Sequence, residues 1–564
     1  MRFEGNWIFE LRAWLRLAPL LCALVAVPAH ADAQARQGMV VTAQHLASDV
    51  GIQILKQGGN AVDAAVAIGY AEAVVNPCCG NIGGGGFMLL HLKDHGDQVI
   101  NFRESAPQAA TAGMYQDASG TLVPRASLFG YKAVGVPGTV RGLDLALRHY
   151  GHLSRARVMA PAIRLARDGF VLTQGDADIL AAQSTRFKAD PELARIFLRP
   201  DGSPLQTGDR LVQKDLARTL SRIARQGPNY FYRGAFADVL AKSSAANGGL
   251  LTRADLAGFE AEETAPLTCS YRGYEVISVP PPSSGGVSLC EILNILEGYN
   301  LKSLGFHSAA ATRILVEAMR HAYTDRNDAL GDPHFVSNPL DHLLSKDYAA
   351  AIRQQINSGK AQTKVSILSP EKRETTHYSI IDRDGNAASV TYTLNGSFGA
   401  QVIPPGTGVL LNDEMDDFTV KPGVPNQFGL VQGSNNAIAP GKRPLSSMSP
   451  TIVLKDGKPF LILGSPGGSR IITATLEAAI NVIDYGLSPQ EAVDAPRIHY
   501  QGQPDSIFVE HGALSPETRA ELERQRYRID EQSPWCAVEL IRVEDGRFEG
   551  ASDYRRPAGS AAGY

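Results

Sequence analysis

Two threonines stand side by side in "KRETTHYSIIDRDGNAASVTYTLN", where a charged, irregular segment gives way to an alternating strand pattern. A threonine hydroxyl is a poor nucleophile unless a base lies beside it. A threonine that begins a chain carries its own base, because a free α-amine titrates at about 7.7–8 and can take the hydroxyl proton near neutral pH. Thr375 gains that amine only if the bond from Glu374 is cut. The plainer alternative is a strand that happens to open on two β-branched residues.

"DRDGN" reads as a hairpin turn. With Arg383-Asp384-Gly385 as a three-residue loop, Gly385 takes the left-handed position and Asp382 opens the turn. Counting outward then sets Thr375 opposite Thr393. Thr375, His377, Ser379, Thr391, Thr393 and Asn395 fall on one face. Tyr378, Ile380, Val390, Tyr392 and Leu394 fall on the other, which suits a core. A two-residue loop, Asp384-Gly385, would set Thr375 against Leu394 instead. The first register is preferred because it gathers the polar groups.

The elements around this hairpin follow from periodicity. Leu46, Val50 and Ile54 predict a helix stopped by Gly58-Gly59, and Asn60 caps an Ala-rich, buried helix that ends before Pro77. "GNIGGGGFMLLHL" lacks the lysine and following helix of a phosphate loop, so its glycines mark backbone threaded through a crowded place. "QVINFRESAP" predicts a strand ending at Arg103. Residues 138–356 read as mostly helical. The helix Glu317 to Leu330 carries Asp325, Arg326 and Asp328; that cluster could bind a metal through Asp325 and Asp328, but the pattern reads as a solvated ion-pair face. "NSGKAQTKVSILSPEKRE" is polar and reads as an exposed, cuttable linker. Beyond it, Ser379–Asp382, Ala388–Leu394, Val409–Asn412, Ser449–Lys455 and Phe460–Gly464 read as strands and Ile471–Ile483 as a helix. The whole is a layered α+β pattern.

The 564 residues carry a net charge of −4, with 20% charged and 44% hydrophobic residues. There is no basic field for nucleic acid. Arg12 and Arg16 precede an apolar run, Leu17 to Val27, and Ala29-His30-Ala31 follows Pro28. That is the form of a secretory leader cleaved after Ala31 or Ala33, so residues 1–33 are set aside and the product is expected to be periplasmic or secreted, with no span in the mature form. Cys78-Cys79 is not a CxxC, which argues against zinc or thioredoxin chemistry. A Cys269–Cys290 bridge is possible.

The chain resembles the gamma-glutamyltranspeptidase family of N-terminal-nucleophile hydrolases from about Gly38 to Tyr564. The motifs that carry this are "ILKQGGNAVDAAVA", "GNIGGGGFM", "FRESAP", "TTHYSIIDRDGNAASVTYTLN", "LLNDEMDDF", "KPGVPN", "KRPLSSMSPTIV", "GSPGGSRIIT" and "GASD". The resemblance implies a four-layer αββα sandwich. It also implies a precursor that cuts itself between Glu374 and Thr375 into a large subunit, 34–374, and a small catalytic subunit, 375–564, which stay together. The implied activity is transfer of the γ-glutamyl group of glutathione or related amides to amino acids, peptides or water, with no cofactor and no metal.

Carried residue by residue, Thr375 is the nucleophile and Thr393 the threonine that holds it. Gly467 and Gly468 supply the oxyanion-hole N–H groups, where glycine permits close approach. Arg103 offers its fork to the donor's α-carboxylate, helped by Ser446 and Ser447. Asn395, Glu414 and Asp417 match the ammonium-binding positions. Taken singly these residues also read as surface ion pairs and loop turns; together they suit a zwitterionic amino-acid head. Two departures stand out. Many bacterial relatives have glutamine where this chain has Glu414. In the segment resembling a lid, Phe428 stands where a hydroxyl-bearing aromatic gates the pocket of some members, and a phenyl ring cannot make that hydrogen bond.

Three other readings compete. A cephalosporin or glutaryl acylase on the same scaffold would have no donor ammonium to bind, against Asn395, Glu414 and Asp417. "SPEK", Ser369 to Lys372, fits S-x-x-K, but S-D-N and K-T-G are missing. A periplasmic amino-acid-binding protein would need neither cut nor nucleophile.

Overall fold

The computed structural model describes residues 33–358 and 375–564. Residues 1–32 of the expected leader, nearly all of the expected linker, and Glu374 lie outside the described residues.

Two seven-stranded sheets form the centre. One contains Gly38–Thr42, Thr376–Asp382, Ala387–Thr393, Gly85–Leu92 and Gly96–Asn101. The other contains Tyr274–Ser278, Thr451–Lys455, Lys458–Gly464, Glu539–Glu544 and Arg547–Ser552. They pack face to face through a cluster including Met39, Val41, Phe87 and Leu89 from the first and Ile452, Ile462 and Ile541 from the second. On the outer face of the first sheet, Tyr378, Ile380, Val390 and Tyr392 pack in one cluster with the helix Ala61–Val75. On the outer face of the second, Val453, Leu461 and Leu463 pack with the helices Gly285–Leu296, Ala309–Ala329 and Ile471–Ile483. The layers are therefore αββα, as expected.

The hairpin adopts the three-residue loop. Thr376 pairs with Tyr392 and Ile381 with Ala387, the Asp382 N–H donates to the Asn386 carbonyl at 3.0 Å, and Gly385 has φ +86°. Asp382 also anchors the hairpin to its neighbour. Its Oδ1 accepts from the Asp384 and Asn386 amides, and its Oδ2 accepts from the Ala61 amide at 3.0 Å. A carboxylate there meets the positive end of a helix. That helix is closed by a capping box between Asn60 and Asp63, and all fifteen of its residues are buried. Tyr378 and Tyr392 donate to the Ala65 and Gly69 carbonyls at 3.0 and 2.8 Å.

The polar face of the hairpin is buried as deeply as the apolar one. Ser379 Oγ donates to the Glu539 carbonyl at 2.9 Å and Ser389 Oγ to the Leu463 carbonyl at 3.0 Å, so hydroxyls bolt one sheet to the other. The His377 ring sits between Thr391 and Ser379, in space that a Cβ on Gly464 would occupy.

The four-glycine run is crowded as expected. A Cβ on Gly83, Gly84, Gly85 or Gly86 would collide with the carbonyl of Leu410, Thr393, Phe102 or Thr391 respectively. Val409–Asn412 is not a strand. It is extended, but its backbone pairs with loops: the Leu411 amide with Val402, and the Asn412 amide with Gly83. The mostly helical stretch also hides Glu262–Thr264, Leu267–Tyr271 and Tyr274–Ser278, which extend the two sheets. A Cys269–Cys290 disulfide joins the second of these strands to the helix Gly285–Leu296. Cys78 and Cys79 are bonded to each other. Their carbonyls accept from the Phe398 and Leu394 amides at 2.8 and 3.1 Å, which holds the loop after the strand Ala387–Thr393.

Buried titratable groups set the sign of the pH dependence. Burial raises Glu72 and Glu104 to about 7 and Glu477 to about 8. A carboxyl whose folded pKa exceeds its unfolded value of 4.5 stabilises the fold fully below that value. The contribution is lost as pH rises through the folded pKa. Burial lowers His377 to about 3 and His307 to about 4, so those groups act in the opposite sense below 6.5. From about pH 6.5 to 8 the carboxyls act unopposed by these histidines, and Tm falls across that window. Thermal denaturation at half-unit steps checks this; a Tm that climbs from pH 6.5 to 8 contradicts it.

Candidate active site

Thr375 immediately precedes the strand Thr376–Asp382 and lies at the floor of a small cavity. Thr393, opposite it in the extended register, donates its Oγ1 proton to Thr375 Oγ1 at 3.3 Å. Thr393 Oγ1 in turn accepts from the Asn395 amide at 2.8 Å. The pair is thus held from the backbone of the next loop, where Asn395 adopts φ +79°. Arg103, Thr375, Thr393, Asn395, Glu414, Asp417, Ser446, Ser447 and Gly468 all line this one cavity, together with Phe428, Met448 and Ile471. Gly467 is next in the chain to this lining, and Glu374 lies outside the described residues.

Gly467 and Gly468 open the short helical turn Gly468–Arg470 with φ +130° and +59°, backbone that L-residues adopt rarely. Their N–H groups have no acceptor among the described residues. The pair is clamped from two sides: a Cβ on Gly467 would strike Cys536 Sγ, and one on Gly468 would strike the Phe428 ring at about 2.5 Å. Phe428 also lines a larger cavity of about 390 Å³ on the outer side of this segment, with Tyr115, Arg125 and Arg470 among its other walls.

Arg103 is fully buried. Its Nη1 bonds Glu414 Oε1, its Nη2 bonds Asp417 Oδ2 at 2.5 Å, and its Nε donates to the Pro444 carbonyl at 3.2 Å. The residues expected to serve opposite ends of a zwitterion are therefore paired with each other here. Three of the five guanidinium N–H groups are engaged, which leaves two for a further acceptor. Burial works against the guanidinium charge, but Glu414, Asp417 and Glu104 outweigh it and raise its pKa. Glu104 approaches the same nitrogen at 3.7 Å, and neither of its oxygens has a hydrogen-bond partner among the described residues. Burial pushes Glu414 well above the usual carboxylate range as well. With three carboxyls around one guanidinium, Glu104 and Glu414 meet the crowding by retaining protons.

Ser446 and Ser447 are held by the loop 281–284. Ser446 pairs with Ser283 in an isolated bridge, and its carbonyl accepts from the amide and hydroxyl of Ser284. Asn395 Nδ2 donates to the Asp413 carbonyl at 3.0 Å, which fixes its side-chain amide against the loop that carries Glu414.

Arg326 corrects the sequence reading. It does not lie on a solvated ion-pair face: it is buried, and its Nη2 donates to Ser447 Oγ at 3.1 Å. Its position was legible in the helix, because Leu315, Met319, Ala322 and Arg326 continue one buried stripe at spacings of four, three and four. Asp325 accepts from the Tyr348 hydroxyl instead. No group of three or more His, Cys, Asp or Glu among the described residues is placed to hold a metal, and none of their helices is long and apolar enough to cross a membrane.

The arrangement can present a hydroxyl nucleophile to a carbonyl, backbone donors to the resulting oxyanion, and both charge signs to a small polar ligand. Comparison with known proteins agrees with such chemistry. The family described as gamma-glutamyltranspeptidase matches residues 47–564. A glutathione hydrolase proenzyme of Pseudomonas sp. (strain A14) is 55% identical over 561 residues, covering 97% of this chain and 98% of its own. One from Escherichia coli (strain K12) is 48% identical over 537 residues, covering 94% and 92%. The solved structure of a cephalosporin acylase from Bacillus halodurans is 28% identical with a TM-score of 0.83, covering 99% of each chain. With matches that run through every motif lining the cavity, the chain belongs to the gamma-glutamyltranspeptidase family and is one of its enzymes.

Proposed function

We propose that the protein is an exported, self-processing γ-glutamyltransferase and glutathione hydrolase, active as a heterodimer of its own fragments 34–374 and 375–564. The observation that carries this reading is the Thr375–Thr393 hydroxyl pair opening into a cavity that holds both a guanidinium and carboxylates.

Processing needs only the atoms at the cut. Thr375 Oγ1 attacks the Glu374 carbonyl and the amide nitrogen leaves, so the peptide becomes an ester. Water then hydrolyses the ester, and Thr375 keeps a free amine and a free hydroxyl. In turnover that amine takes the hydroxyl proton while Oγ1 attacks the donor's γ-carbonyl. Thr393 holds Oγ1 in line, and the N–H groups of Gly467 and Gly468 receive the oxyanion. The proton passes to the leaving amine, and an acceptor amine or water repeats the sequence on the γ-glutamyl ester. Arg103, Ser446 and Ser447 take the donor's α-carboxylate; Asn395, Glu414 and Asp417 take its ammonium.

The acylase reading has a specific observation in its favour, the full-length similarity to a cephalosporin acylase. A glutaryl group has the carboxylate but no ammonium, so it leaves Glu414 and Asp417 with Arg103 alone and without the second cation that two carboxyls favour. Steady-state assays with γ-glutamyl and glutaryl 4-nitroanilides separate the two. A γ-glutamyl preference of at least about tenfold is expected, and a glutaryl preference overturns the assignment.

A further inference from the structure

Arg326 sits one side chain behind the cavity, and no carboxylate among the described residues pairs with it. Its Nε donates to Ser284 Oγ at 3.0 Å, its Nη1 to Asn327 Oδ1 and Gln432 Oε1 at 2.9 Å each, and its Nη2 to Ser447 Oγ at 3.1 Å. All four acceptors are neutral, and no ion pair to Arg326 occurs among the described residues. Arg103, the other fully buried arginine at the cavity, has three carboxylates around it. Asp417 is the carboxylate whose charge acts on Arg326 through space, but its Oδ2 is bonded to Arg103. A buried guanidinium with only neutral partners is uncommon, because desolvating a charge is costly unless an opposite charge offsets it. Burial lowers its pKa to about 10, still far above neutral, so the charge persists.

The polarity of its contact with Ser447 has a chemical consequence. Arginine can only donate. Ser447 Oγ must therefore accept from Arg326, and its own proton, which has no acceptor among the described residues, is left to point elsewhere. Ser446 Oγ is oriented in the same way, because it accepts from the Met448 amide at 3.0 Å. Both hydroxyls line the cavity beside Arg103. Two oriented O–H donors, one of them polarised from behind by a cation, make a site for an anion.

We propose that Arg326 is a positioning residue for the donor's α-carboxylate: it fixes Ser447 as a hydrogen-bond donor and supplies, one side chain removed, the counter-charge that this anion meets in the cavity. The role rests on the reading of the cavity as the γ-glutamyl site. Its mark is dependence on the carboxylate alone, since 4-aminobutanoate equals L-glutamate without that group.

The test uses the processed enzyme and its Arg326→Gln, Arg326→Lys and Ser447→Ala variants, each verified as two bands on a denaturing gel. KM and kcat are measured with γ-glutamyl 4-nitroanilide, and inhibition constants with L-glutamate and 4-aminobutanoate as competing ligands. Arg326→Gln is expected to raise the donor KM and the L-glutamate constant by about tenfold or more, the range for a lost hydrogen bond to a charged group. It should change kcat and the 4-aminobutanoate constant by less than about threefold. Arg326→Lys should recover part of the loss, and in a Ser447→Ala background the Arg326→Gln effect should shrink. Equal weakening of both ligands, or a fall in kcat at constant KM, overturns the proposal. If Arg326→Gln does not fold, Arg326→Lys and Ser447→Ala must still weaken L-glutamate selectively, or the proposal fails. A failure of the γ-glutamyl reading is seen separately, in a wild-type enzyme that does not turn over the γ-glutamyl anilide.

Discussion

Replacing Thr375 with alanine is expected to leave a folded, uncut and inactive chain. The side chain is nearly buried and, among the described residues, takes part in one hydrogen bond, accepted from Thr393 at 3.3 Å, so the loss in stability is about 1 kcal/mol. The chemical loss is far larger. The same Oγ1 opens the peptide bond from Glu374 and later carries the acyl group, and without the first event there is no free amine to serve as base. Removing a nucleophile that works as a unit with its base costs on the order of 10⁴-fold or more in rate. Thr375→Ser keeps the hydroxyl and should retain slower processing and measurable turnover. The measurements are a denaturing gel, N-terminal analysis of the smaller band and an anilide assay. A Thr375→Ala chain that still yields a fragment beginning at position 375 would remove Thr375 from processing, and one that also turns over substrate would remove it from catalysis.

The hairpin that presents Thr375 was legible because two independent signals agreed. The polar and apolar faces alternate with a period of two, and Gly385 supplies the left-handed residue that a three-residue loop requires. A one-residue slip would have turned Tyr378 and Tyr392 away from the carbonyls of Ala65 and Gly69. The environment of the polar face was not legible. Alternation separates two faces but does not say that both are covered, and only the second sheet explains why Ser379 and Ser389 are hydroxylic: each satisfies a carbonyl across the interface.

The site residues came from the family resemblance, and their pairing in space could not have come from it. Arg103 and Glu414 are more than three hundred residues apart in sequence and in direct contact in the fold. Val409–Asn412 was misread for a related reason. Its apolar residues suit an extended segment, but they pack beside glycines whose missing Cβ atoms admit the Leu410 and Leu411 carbonyls, so it joins loops rather than a ladder. Arg326 was misread because charge was weighed above periodicity. Its neighbours on the buried stripe, Met319 and Ala322, pointed inward, and a charge on such a stripe marks a site more often than a surface.

Arg103→Ala is expected to raise KM for a γ-glutamyl donor by roughly a hundredfold, about 3 kcal/mol, while changing kcat much less. The guanidinium is the hub of Glu104, Glu414 and Asp417. Deleting it leaves three buried carboxyls facing one another, and breaking such a pairing costs about 3–5 kcal/mol before relaxation. Glu104 and Glu414 relieve part of that cost by taking up protons, since burial already raises Glu104 to about 7 and Glu414 well above its usual range. The cavity then repels an α-carboxylate instead of attracting it. The repulsion grows as the remaining protons are lost, so the KM penalty should be larger at pH 8 than at pH 6.5. Arg103→Lys restores a charge but not the fork, and should fall between alanine and the native residue. The reacting γ-carbonyl lies at Thr375 and the glycine pair, beyond the contacts of Arg103, which is why kcat is expected to hold. Steady-state kinetics at the two pH values decide the matter. A KM that does not move, or a penalty that shrinks as pH rises, would mean that Arg103 holds the carboxyls together without touching the substrate.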